Sequence, residues 1–85
     1  MLVRPYNDNL AVSPDNAVNF VPYATKGLLT SALYVGGAGS VVAVDENGEA
    51  TTFVAVPVGT FLPIAVKRVN ATGTTATNLV ACYWV

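Results

Sequence analysis

The chain has 85 residues, which allows one domain. A domain of this size buries only about 60% of its unfolded surface when it folds alone. It is 53% apolar and 11% charged, against roughly 45–50% and roughly 25% in ordinary soluble domains. That excludes a highly charged free surface and implies one made of Thr, Asn and Ser or covered by partners. A net charge of −1 excludes the basic stripe that phosphate backbones require, so no nucleic-acid partner is expected.

Residues 1–17 carry Pro5, Pro14 and several Asn and Asp residues, which block helix and favour turns. They read as an extended N-terminal arm with a short strand near residues 9–12. Such an arm lies on a neighbour in an oligomer or frays in a monomer. The start, Met1-Leu2-Val3-Arg4-Pro5, has no basic n-region followed by an apolar core, so no secretory signal is expected. The most apolar window, residues 27–44, is broken by glycines and fails as a membrane span, so a soluble protein made inside the cell is expected.

Residues 18–85 read as a single small β domain. Residues 19–23 are a strand candidate placed at an edge by Pro22. Residues 28–35 are ambiguous, with Ala32-Leu33-Tyr34-Val35 the more strand-like part. Gly36, Gly37 and Gly39 are expected to stop the element and turn the chain. Residues 40–45 and 49–56 form a hairpin around Asn47-Gly48, a strong hairpin signal. Pro57-Val58-Gly59 is the next turn. Residues 61–70 read as the longest strand, with Leu62, Ile64 and Val66 on one face, although Pro63 denies it a central place. Residues 71–77 are a loop and 78–85 the last strand. Both faces of that strand are apolar, Leu79, Ala81 and Tyr83 against Val80, Cys82 and Trp84, so burial on both sides is expected. Six to seven short strands joined by glycine turns predict an all-β fold, a small antiparallel β-sandwich or β-barrel.

Candidate chemistry is sparse. There is no histidine, which removes the commonest general base and metal ligand. Cys82 has no activating base and reads as a buried, inert thiol. Asp45, Glu46, Asn47 and Glu49 hold only fragments of a calcium loop and read as a solvated hairpin tip. The glycines at 36, 37 and 39 lack the helix and lysine of a phosphate loop. Asn70-Ala71-Thr72 matches a glycosylation acceptor, without consequence in the absence of a secretory signal. No catalytic, cofactor-binding or metal residues are assigned, and no enzyme activity is expected. Tyr34, Phe53, Tyr83 and Trp84 are the candidates for a subunit contact or, alternatively, a carbohydrate-binding face.

From residue 33 onward the order of motifs carries a resemblance. Leu33-Tyr34-Val35-Gly36 comes first, then the hairpin and Phe53. Val56-Pro57-Val58-Gly59-Thr60-Phe61-Leu62-Pro63 follows, then Val66-Lys67-Arg68-Val69. The run Ala71-Thr72-Gly73-Thr74-Thr75-Ala76-Thr77 and an apolar strand with terminal aromatics close the chain. This resembles the small spike-base and head-decoration proteins of tailed-phage heads and phage-like gene transfer agents. The resemblance covers about 50 residues of the 85, and its most specific parts are the 71–77 loop and the preceding Gly-Thr-x-Leu-Pro. It implies a non-enzymatic virion protein on the capsid exterior. The implied partners are further copies of itself in a pentamer or trimer, the major capsid protein and a head fibre. A tail or baseplate adaptor of the same β type is the alternative. With so little charge elsewhere, Tyr83 and Trp84 are expected at or beside a subunit boundary.

Overall fold

The computed structural model describes residues 6–21 and 23–84. Seven strands are present among them: β1 (Asp8–Ala11), β2 (Ala32–Gly37), β3 (Gly39–Val44), β4 (Ala50–Val56), β5 (Thr60–Leu62), β6 (Arg68–Val69) and β7 (Thr77–Tyr83). They form two antiparallel sheets, a four-stranded one in the order β1-β7-β2-β5 and a three-stranded one in the order β4-β3-β6. The expected all-β fold is therefore a sandwich of two open sheets and not a closed barrel. The helical content among the described residues is one 3-10 turn, Ala24–Lys26, closed by Gly27 at φ 76°.

The chain changes sheets repeatedly. It leaves the four-stranded sheet at Ala38, returns through 57–59, crosses again at 63–67 and comes back through 70–76. Each crossing carries apolar side chains from one sheet to face the other. Leu33, Val35, Leu79, Ala81 and Tyr83 thus pack against Val41, Ala43, Val56 and Val69, and Phe20, Val66 and Ala76 close the seam from the connections. Burying each Val or Leu stabilises the fold by about 1.5–3 kcal/mol.

Three expectations are corrected. The glycine run does not end β2: the strand continues through Gly37, and β3 begins at Gly39. These glycines serve close approach. A Cβ on Gly36 would lie 2.6 Å from the Asn78 carbonyl oxygen, and one on Gly39 would lie 2.5 Å from the Ala76 nitrogen. The single long strand over 61–70 is in fact two short ones in different sheets, β5 and β6. Pro63 ends the first, and the crossing at 63–67 breaks the alternation, so Val66 and Val69 are both buried. The strand expected over 19–23 is absent from its described residues; Pro22 lies outside them. Phe20 there donates its N–H to the Lys67 carbonyl (2.8 Å) as the chain passes the β6 edge.

The hairpin around Asn47-Gly48 is present. The Asp45 carboxylate accepts from the N–H groups of Asn47 (2.9 Å) and Glu49 (3.0 Å), and Gly48 takes φ 84°. Near the N-terminus, β1 overlaps the strand expected at 9–12 and pairs along β7 of the same chain, Asp8 opposite Tyr83. Residues 1–5 of the expected arm lie outside the described residues, as does Val85 of the expected last strand.

Candidate interaction surface

Alternation along β7 separates two environments. Leu79, Ala81 and Tyr83 point into the core, while Val80 and Cys82 line the opposite face of the four-stranded sheet. Register places Tyr34 beside Val80 and Phe61 beside Tyr34, with Asn9 opposite Cys82. Tyr6 completes a groove of about 420 Å³ lined by Tyr6, Asn9, Tyr34, Phe61, Val80 and Cys82. Among the described residues no charged side chain belongs to this lining. The three rings form a chain, Tyr6 to Phe61 at 6.2 Å and Phe61 to Tyr34 at 4.9 Å between centroids. Phe61 is 52% exposed, and Trp84, just past the end of β7, is 45% exposed.

Exposed aromatics are costly in water and enriched at the centres of protein interfaces, where charges are depleted. A charge-free aromatic groove on a sheet face has that composition. Cys82 lies in its floor, buried and without a disulfide. Burial pushes its thiol pKa up, against a smaller opposing effect of hydrogen bonding to the Tyr34 backbone. Burial thus favours the neutral thiol at this position.

The four aromatics singled out from sequence do not come together. Tyr34 is in the groove. Phe53 packs against the core from the other sheet. Tyr83 is a core residue, 1% exposed, stacked on Tyr23 with centroids 3.9 Å apart. The expectation of Tyr83 at a subunit boundary is thereby corrected, as is a carbohydrate face built from these four. The sequence reading missed Tyr6 and Phe61 as partners of Tyr34, because β1, β2 and β5 are brought together only by the sheet order. The parity of Val80 and Cys82 against Tyr83 was the available signal.

Burial pushes the Tyr83 hydroxyl up to about 12, with smaller contributions from Tyr23 and Asp8. That hydroxyl is buried without a hydrogen-bond partner among the described residues. Tyr23 is also raised, first by hydrogen bonding to the Asp8 carboxylate, then by burial. Asp15 is lowered, chiefly by the N–H groups of Ala17 and Val18 that its carboxylate accepts at 2.8 and 3.0 Å. The 45–49 tip is a turn whose Asp45 is occupied by backbone donors, and Asn70 accepts from Arg68 Nε at 3.0 Å. Among the described residues no group of three or more His, Cys, Asp or Glu side chains converges to hold a metal. No helix among them is long and apolar enough to cross a membrane.

The loop expected over 71–77 runs only to residue 76, since β7 begins at Thr77, and it is a strut. Thr75 and Ala76 donate their N–H groups to the Ser40 carbonyl (2.9 and 3.1 Å). The Thr75 hydroxyl accepts from Ser40 N–H (2.9 Å), and that of Thr74 from Val42 N–H (3.0 Å). The loop thereby completes the open side of β3. Asn16 ties it to the N-terminal segment, donating to the Thr72 hydroxyl (2.8 Å) and accepting from Thr72 N–H (3.0 Å).

Comparison with known proteins gives an informative likeness to a solved structure. No protein-family model matches the sequence, and no curated protein matches it significantly. Among solved structures, a chain in the capsid of a native gene transfer agent particle, computed with C5 symmetry, superposes with a TM-score of 0.76. The two are 31% identical, and the match covers 92% of this chain and 83% of the other.

Proposed function

Since the chain belongs to the family of that gene transfer agent capsid chain, we propose that it is a non-enzymatic virion structural protein of the capsid exterior. In this reading it is a spike base or head-decoration protein. It self-associates as a pentamer or trimer, seats on the major capsid protein, and offers an attachment point to a head fibre. The carrying observation is the likeness to a capsid chain over nearly its whole length. The charge-free aromatic groove supports it, because a small domain with exposed Phe61 and Trp84 is better suited to an assembly than to free solution.

The test has two arms. Light scattering on the purified chain is expected to give a discrete closed oligomer. Reconstruction of the virion is expected to show this chain as density outside the shell. A clean monomer that is also absent from the capsid surface would sink the reading, and density on the tail would instead favour an adaptor.

A further inference from the structure

Among the described residues the two sheets have four edges, and three of them are guarded. At β1 the Asp8 carboxylate takes the Asn9 N–H (3.0 Å). At β5 the edge is three residues long and lies between Pro57 and Pro63. At β6 the segment 15–20 covers it, Asp15 N–H donating to the Val69 carbonyl (2.9 Å) and Phe20 N–H to the Lys67 carbonyl (2.8 Å). Charges, prolines, shortness and covering segments are the ways natural sheets prevent stray pairing.

The β4 edge has none of these, and its one irregularity, a bulge-like register shift against β3, comes only after Phe53. It is seven residues long, Ala-Thr-Thr-Phe-Val-Ala-Val, with no charge and no proline between Glu49 before it and Pro57 after it, and among the described residues it pairs with β3 alone. All of it before Val56 is exposed except the half-buried Phe53, and Val54 is 74% exposed. Asp45 N–H donates to the Glu49 carbonyl. Antiparallel alternation then turns the backbone of Thr51 and Phe53 toward β3, and that of Ala50, Thr52 and Val54 outward. Ala55, at φ 56°, ends the straight run.

We propose that residues 50–54 of β4 are a strand-addition site for an extended segment of a different polypeptide, uncharged except for a lysine or arginine at the end beside the 45–49 turn. Backbone hydrogen bonds supply the affinity, and the side chains of Thr52 and Val54 select apolar or β-branched neighbours. Charge selects the partner. Glu46 and Glu49 are exposed at the start of β4, and neither the strand nor its turn contains a basic residue. A second copy docking through its own β4 would bring no cation to that end, and its other three edges are the guarded ones. The inference rests on the fold alone and holds whether or not the chain sits on a capsid.

The test titrates the isotope-labelled full chain with the synthetic peptide Thr-Val-Thr-Val-Thr-Lys, whose lysine lies beside the turn in antiparallel addition. Amide exchange at Ala50, Thr52 and Val54 is expected to slow by about tenfold or more at saturation. The same peptide ending in Glu is expected to bind several-fold more weakly. Thr52→Pro removes an outward N–H and spares the ladder to β3, so it is expected to abolish binding in a chain whose spectrum stays folded. Val54→Lys, an added edge charge, is expected to do the same and stands in if the proline variant does not fold. Absent protection at β4, equal binding by the Glu peptide, or binding that survives Val54→Lys overturns the proposal. So does protection already present in the chain alone through a dimer that either variant disperses, which would make a second copy the occupant.

Discussion

At Gly36 the space for even one methyl group is taken by the neighbouring strand, with the Asn78 carbonyl 2.6 Å from where a Cβ would stand. Gly36→Ala must push β2 from β7. It is expected to cost about 1–3 kcal/mol, read as a fall of roughly 4–8 °C in melting temperature per kcal/mol for a domain of this size. Tyr83 behaves oppositely. Its hydroxyl is buried without a partner among the described residues, so Tyr83→Phe is expected to leave stability unchanged or raise it by up to about 1 kcal/mol. Its pKa, pushed up to about 12 from 10, sets the sign of an alkaline effect. Below pH 10 the phenol is neutral in both states and its contribution is fully present. As pH rises from 10 through about 12 the unfolded chain ionises first, and stability is lost. Denaturant melts across that range are expected to show a shallower decline for Tyr83→Phe than for the native chain.

Thr30 holds the crossing between β5 and β6. It is 3% exposed; its hydroxyl donates to the Ile64 carbonyl (2.6 Å) and accepts from Val66 N–H (3.0 Å). Thr30→Val keeps the shape and strands both backbone groups. Equilibrium unfolding is expected to show a loss of about 2–3 kcal/mol, whereas Thr30→Ser retains most of the stability. The crossing marks the limit of what the sequence disclosed about its elements. The Asn47-Gly48 hairpin and the outlines of β2, β4 and β7 were legible because local turn chemistry and two-residue alternation set them. Residues 61–70 alternate just as well, yet form no single strand, because Pro63 and the pull of two different sheets outweigh the pattern. Gly36 and Gly37 were misread for a related reason. Glycine marks a turn or a tight approach alike, and only the position of Asn78 and Thr77 tells which.

For the molecule as a whole, low charge led to the expectation of a covered surface but gave no place for it. The groove draws on β1, β2, β5 and β7 together with Tyr6, and no stretch of sequence contains more than a fragment of it. Under the proposed self-association, Phe61→Ser is expected to give folded monomers in light scattering, with little change in the melt of the isolated domain because Phe61 is half exposed already. An oligomer of unchanged size would move the subunit contact elsewhere.

The position of β7 between β1 and β2 has a further consequence. β1 joins the four-stranded sheet through β7, so its docking waits on a pairing that links Asp8 to Tyr83 across almost the whole described chain. Closing so long a loop has an entropy cost that must be met before the contacts form, which makes folding slow for a domain of this size.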